Sequence, residues 1–178
     1  NYYDYTIVKE SNGFYVLILR ELMTPLSDYL KDRHIKHKEA VKLGWDICNA
    51  LDEFRQAGIS HKYITPDNIF MGENASFKLG DFGIDSMYRK KSGTGNSYKA
   101  PELFVSKESS SADIYSLGMV LYKLMNNNRG PFLPEYPAPV SYEDREKAFS
   151  RRLRGDMLPM PANSDSNLAR IIFTATAY

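Results

Sequence analysis

The chain has 178 residues, 43% apolar and 25% charged, the balance of one globular domain around a single core. A net charge of +1 gives no bulk field for nucleic acid or an anionic membrane, and no apolar run reaches the roughly 20 residues that span a bilayer. One cysteine, Cys48, excludes an internal disulfide and a cysteine-based zinc cage, and fits a small apolar helix position.

In chain order, residues 3–9 and 13–20 read as two strands, rich in β-branched and aromatic side chains, with SNG at 11–13 as their turn. The start, NYYDYTIVKE, carries neither the basic nor the apolar region of a signal peptide, and both ends read as cut from a longer chain. Residues 25–31 predict a short helix with Pro25 in its first turn and Thr24 as cap. KDRHIKHKEA holds a His-x-x-His pair, His34 and His37, in a stretch so charged that a solvated inter-helix loop is expected rather than a metal site. Over 38–57, Ala40, Leu43, Ile47, Leu51 and Phe54 recur every three or four residues, which predicts an amphipathic helix stopped by Gly58.

The apolar runs 68–71 and 77–79, joined by GENAS, predict a hairpin. Residues 88–99 are polar, basic and without apolar period, the composition of a mobile loop. From 111 to 125 the apolar residues lie on nearly every side, so this helix belongs at the centre of the domain. PFLPEYPAP at 131–139 is extended. Ser141 and Asp144 then have capping-box spacing, opening a helix with Arg151, Arg152 and Arg154 near its end, where cations complement the helix dipole, and Gly155 closing it. A last helix starts at 168 and is expected to continue to 178. Strands first and helices after make an α+β arrangement.

Four short motifs carry the chemistry: HKYITPDN at 61–68, DFG at 81–83, APE at 100–102 and DIYSLG at 113–118. Each alone is weak. Their order, with a hairpin between the first two and a loop between the next two, resembles the C-terminal lobe of protein kinases. RELMTPLSDYL, KLGDFGI and DIYSLGMVLYKLMN are similar to bacterial serine/threonine kinases of the eukaryotic-like type. The resemblance implies a kinase-like fold with two domains: 1–23, the last two N-lobe strands and hinge, and 24–178, the mainly helical C-lobe without its final helix.

The resemblance also implies site residues. Asn68 and Asp81 match the two metal-ligand positions, an amide oxygen and a carboxylate suited to Mg²⁺. Glu21, Leu22 and Met23 match the hinge that holds the adenine of ATP, with Glu21 and Met23 as nucleotide contacts, and Phe70 matches the floor beneath it. Arg20 stands at the gatekeeper position, and such an arginine is expected to find a carboxylate or lean toward solvent. His61 and Phe82 match two members of the hydrophobic spine. Asp113 matches the residue that hydrogen-bonds the catalytic-loop backbone.

The departures are concentrated in the transfer chemistry. The catalytic aspartate position is Tyr63. A phenol ordinarily titrates near ~10 and is protonated at neutral pH, so it cannot take the substrate hydroxyl's proton, a service worth about 10²–10⁴-fold. The lysine position is Thr65, which removes a cation from where charge develops. The loop threonine falls on Gly95, or on Thr94 with a one-residue insertion. Lys62 stands where an arginine would clamp a phosphorylated loop, and lysine lacks the bidentate fork; Ser92, Thr94 and Ser97 are the available acceptors.

No catalytic residue is therefore expected intact. The reading is a pseudokinase acting through a protein partner or substrate, with a divergent active ATP-dependent kinase and an ATP-binding sensor as alternatives. ATP and Mg²⁺ are conditional cofactors. Nucleic acid and a membrane segment are not expected. The expected setting is cytoplasmic, or the cytoplasmic part of a membrane-anchored protein. Residues 131–139 and the helix after them are the expected interaction surface.

Overall fold

Alternating β-branched and aromatic residues drive the first element pair, the hairpin of β1 (Tyr2–Glu10) and β2 (Gly13–Arg20). The strands pair antiparallel from Glu10↔Gly13 to Tyr2↔Arg20, with an irregularity between Tyr2 and Asp4. The computed structural model describes residues 2–80, 95–105, 109 and 111–177. Both faces of this hairpin are exposed, Tyr5, Phe14 and Leu19 included.

A second sheet has the order β3-β4-β5, all antiparallel. β3 is Thr24–Pro25, β4 is Ile69–Met71 and β5 is Phe77–Leu79. Thr24 is thus a strand residue and not a helix cap: α1 runs Leu26–Asp32, starts after Pro25, and has no side-chain cap. The cause is β4, whose Met71 and Phe70 pair with Thr24 and Pro25 and hold them extended. The expected hairpin is β4–β5, closed by a 3₁₀ turn at Glu73–Ala75.

α2 is His37–Gln56, one residue earlier at each end than its apolar period announces. Glu39 accepts from the Lys36 backbone N–H at 2.7 Å and fixes the start there. His37 is therefore the first residue of α2 and not part of a solvated loop, its Nε2 lying 3.1 Å from an Asp165 carboxylate oxygen. Ala40, Leu43, Ile47 and Leu51 are buried, and Cys48 lies on the exposed side.

α3 (Glu102–Val105) leads to α4 (Ala112–Leu124), buried nearly all round as its composition predicts. α5 is Tyr142–Leu153, opened by the expected capping box: Asp144 N–H donates to Ser141 Oγ at 3.1 Å, and Ser141 N–H donates back at 2.9 Å. α6, Ser166–Ala175, is capped by Asp165 and ends before residue 178, with Thr176 as its C-cap. The core lies where α2 and α6 meet α4, through Leu43, Ile47, Leu117, Leu121, Leu168 and Ile172. At the α4–α6 contact Gly118 permits close approach: a Cβ there would stand 2.7 Å from Thr176 Cγ2. Among the described residues no helix is long and apolar enough to cross a membrane.

Candidate catalytic-loop site

The loop 61–68 joins α2 to β4, and its backbone is tied on three sides. Asp113, in the first turn of α4, accepts from the N–H of His61 through one carboxylate oxygen and from that of Lys62 through the other, both at 2.7 Å. Gly80 N–H donates to Asn68 C=O at 2.9 Å on the β5 side, and Ser27 N–H of α1 donates to Pro66 C=O at 3.1 Å. Lys62 has φ +66°, a left-handed conformation uncommon outside glycine and asparagine, so the Asp113 clamp falls on the strained residue. His61 is buried, its ring 6.0 Å from that of Phe54 and its Nε2 3.0 Å from Gly80 C=O. The expected pairing of Asp113 with this loop is thus a feature of the structure.

Within the loop Asn68 is 1% exposed. Its Nδ2 donates to Tyr63 C=O at 2.8 Å, which turns Oδ1 away from that carbonyl. Among the described residues, that buried Oδ1 has no hydrogen-bond partner. A hard amide oxygen without a donor fits the cation ligand that Asn68 is expected to be. Its expected partner Asp81, like Phe82, Ser92 and Thr94, lies outside the described residues. Tyr63 is exposed and Thr65 is buried, and the two share one short loop with Asn68. Thr65 C=O accepts from both Asn68 and Ile69 N–H, turning the chain into β4.

The residues expected to form the hinge approach β4 and β5. Phe70 is 4% exposed, and the Arg20 guanidinium lies over its ring, 5.0 Å from the centroid. Gly80 closes against the same ring: a Cβ there would stand 2.8 Å from Phe70 Cε2. Arg20 itself is exposed, as one of its two expected arrangements requires. Glu21 pairs with Lys78 of β5 at 2.5 Å, and this ammonium, chiefly through the hydrogen bond, holds the Glu21 carboxyl below its usual value. Met23 is half-buried and Leu22 fully exposed.

The segment 95–99 differs from the mobile loop its composition suggests; residues 88–94 lie outside the described residues. Gly95–Ser97 form a 3₁₀ turn and Tyr98 is buried. Arg152, which by position only complements the α5 dipole, is buried at 6% and is the anchor of this segment. Its guanidinium donates to Ser97 C=O at 2.7 Å, Asn96 C=O at 3.0 Å and Lys99 C=O at 2.7 Å. Lys123, at the end of α4, donates to Tyr98 Oη at 3.0 Å. Burial, then Arg152 and Arg145, push the Lys123 ammonium down to about 8. The sequence signal for Lys123 was its place as a lone cation in an otherwise apolar stretch of α4.

A protein kinase domain model matches residues 4–172. The chain is 33% identical over 123 residues to a probable protein kinase of Dictyostelium discoideum, covering 68% of this chain and 31% of that protein. It is 30% identical over 149 residues to a putative serine/threonine-protein kinase A of Trypanosoma brucei brucei, 79% of this chain and 32% of that one. It is 33% identical over 125 residues to the serine/threonine-protein kinase PknB of Mycolicibacterium smegmatis, 63% of this chain and 19% of that one. The chain spans about a third or less of the length of these relatives.

Proposed function

This chain belongs to the protein kinase family, and from that premise we propose that it is a serine/threonine protein-kinase-like domain with impaired phosphoryl transfer that works by binding a protein partner. The observation that carries the reading is a contrast within one loop. The backbone ties of 61–68 to Asp113, Gly80 and Ser27 are all made, while the residue before the turn is Tyr63 and the buried residue two further on is Thr65. A well-formed loop that carries no carboxylate at the base position can hold a shape without taking a proton.

The reading divides the chain into the hinge and strand pair, 1–23, and a helical lobe, 24–178. The exposed apolar faces of β1–β2 suit strands that continue a larger sheet. It assigns the domain to the bacterial eukaryotic-like type on the segments 20–30, 78–84 and 113–126, and to the cytoplasm. The partner face is 131–139 with α5.

The test is phosphoryl transfer by the full-length protein, with Mg²⁺ and with Mn²⁺, to itself and to a generic basic protein. The expected result is none, with a gain on Tyr63→Asp combined with Thr65→Lys. Robust transfer by the unaltered protein would overturn the proposal.

One observation favours a second reading, an ATP sensor: the buried, unpartnered Asn68 Oδ1 suits the Mg²⁺ that neutralises nucleotide phosphate when bound, with Asn68 and Asp81 holding it. Against it stands Arg20, whose guanidinium covers the Phe70 ring that would floor the adenine. Calorimetric titration with ATP, with and without Mg²⁺, separates the two readings.

A further inference from the structure

A cleft of about 590 Å³ opens between the 96–97 turn, the end of α4, the loop 128–133 and α5. That volume is in the range of pockets that enclose a small polar group with its apolar flanks. Its charge is one-sided: Lys123, Arg129, Arg145 and Arg152 line it, against Glu146.

Two of these cations sit in the wall rather than in solvent, and burying a cation away from a counter-charge is costly. The terminal N–H groups of Arg152 are taken by neutral backbone carbonyls, and its Nε is buried with no partner among the described residues. Lys123 is half-buried beside it, spends one N–H on Tyr98 Oη, and lies 4.4 Å from that ring's centroid. Arg129 is spent on Pro134 C=O and Ala138 C=O, at 3.4 and 2.7 Å, and so shapes the loop. Arg145 is exposed at the rim. Among the described residues no carboxylate pairs with Lys123, Arg145 or Arg152.

The cleft therefore holds three cations that, among the described residues, have only neutral acceptors or none and pair with no carboxylate. Leu133, Val140 and Phe149 supply apolar wall on either side of the charge. An aspartate or glutamate side chain on an extended backbone matches both features: the carboxylate meets Lys123 and Arg145 beside the buried Arg152 guanidinium, and the flanking chain lies on the apolar wall. Nucleic acid is the poorer match, since the cations form one pocket and not a track along a backbone, and Tyr98 is too buried to stack a base.

We propose that the cleft between α4 and α5 is a docking site for an acidic, extended segment of a protein partner, its carboxylate received by Lys123 and Arg145 in the field of the buried Arg152 guanidinium. This rests on the partner-binding reading above and names the chemistry of the partner. Its test reads binding alone, so the outcome of the transfer assay leaves it untouched.

The experiment is fluorescence anisotropy of the full-length protein with a labelled Gly/Ser peptide carrying a central Glu-Asp-Glu, against the same peptide with Gln-Asn-Gln. The acidic peptide is expected to bind at least about tenfold tighter at low salt, and to weaken as salt rises from about 0.05 to about 0.3 M. Arg145→Glu changes an exposed side chain, so it is expected to cost about tenfold in affinity with the melting temperature unmoved. Lys123→Gln, which keeps a donor for Tyr98, should show a similar loss. Equal binding of both peptides, or unchanged affinity in both variants, would overturn the proposal. A phosphoserine peptide binding more than about tenfold tighter than the acidic one would also overturn it, in favour of a phosphate receptor.

Discussion

Replacing Asp113 by alanine is expected to cost about 3 kcal/mol of stability. Two hydrogen bonds at 2.7 Å to a carboxylate are lost, each ordinarily worth about 1.5–3 kcal/mol. The full sum is not expected, for two reasons. The carboxylate is itself nearly buried, so removing it also removes its own desolvation cost. And Lys62, held left-handed, can relax and return about 1 kcal/mol of strain. His61 N–H lies in a buried contact and is left without a partner, whereas Lys62 N–H, less buried, can turn to water. Asp113→Asn keeps one carbonyl oxygen and presents an NH₂ to the other donor, so about half the loss is expected. Urea denaturation gives both values, at unchanged slope, and amide exchange at His61 and Lys62 should quicken in step. A loss below about 1 kcal/mol for Asp113→Ala would refute the reasoning: the loop would then be set by its Gly80 and Ser27 bonds alone.

Gly118→Ala should destabilise by about 1–3 kcal/mol in the same assay, because the added methyl meets Thr176 Cγ2 and Ala175 Cβ across the α4–α6 contact. Ser141→Ala removes the α5 cap and should cost about 1 kcal/mol. Ser141 holds the Asp144 carboxyl below its ordinary value in the folded chain, so that bond's stability is present above about pH 4 and is lost as pH falls through the folded value; acid melting curves of Ser141→Ala should be flatter there. Asp165, held down first by Leu168 N–H and then by His37, has the same sign, and Asp165→Asn should likewise flatten the acid limb. Arg20→Ala uncovers Phe70 and should raise ATP affinity in calorimetry by about tenfold if the guanidinium is what excludes adenine; no change would place the obstacle elsewhere.

The fold was legible where local pattern and packing agree. α2 declares its buried stripe through Ala40, Leu43, Ile47 and Leu51, and α4 declares its central place by having no polar face. What was not legible was set by contacts distant in sequence. Thr24 reads as a helix cap until Met71, 47 positions on, pairs with it as a strand. His37 reads as loop because the Glu39 contact that starts α2 early is made with a lysine backbone, not with a capping side chain.

The site divides along the same line, and α4 shows why. It carries two charges, Asp113 and Lys123, near its two ends in a helix otherwise given to the core. Burial makes any charge in such a helix costly, so each must have work that offsets the cost. Asp113 could be assigned from sequence because its motif and that of its partners, His61 and Lys62, both carry the resemblance to protein kinases. Lys123 could not. Its neighbours Tyr98, Arg145 and Arg152 are spread over three elements, and the groups that fix Arg152 are backbone carbonyls, which every residue possesses and no sequence pattern records. Asp113 offsets its cost by clamping a loop at one end of the helix, and Lys123 at the other end faces the same cost. There a half-buried cation pairs with no carboxylate among the described residues, and the acidic segment proposed for the cleft is the counter-charge that would complete it.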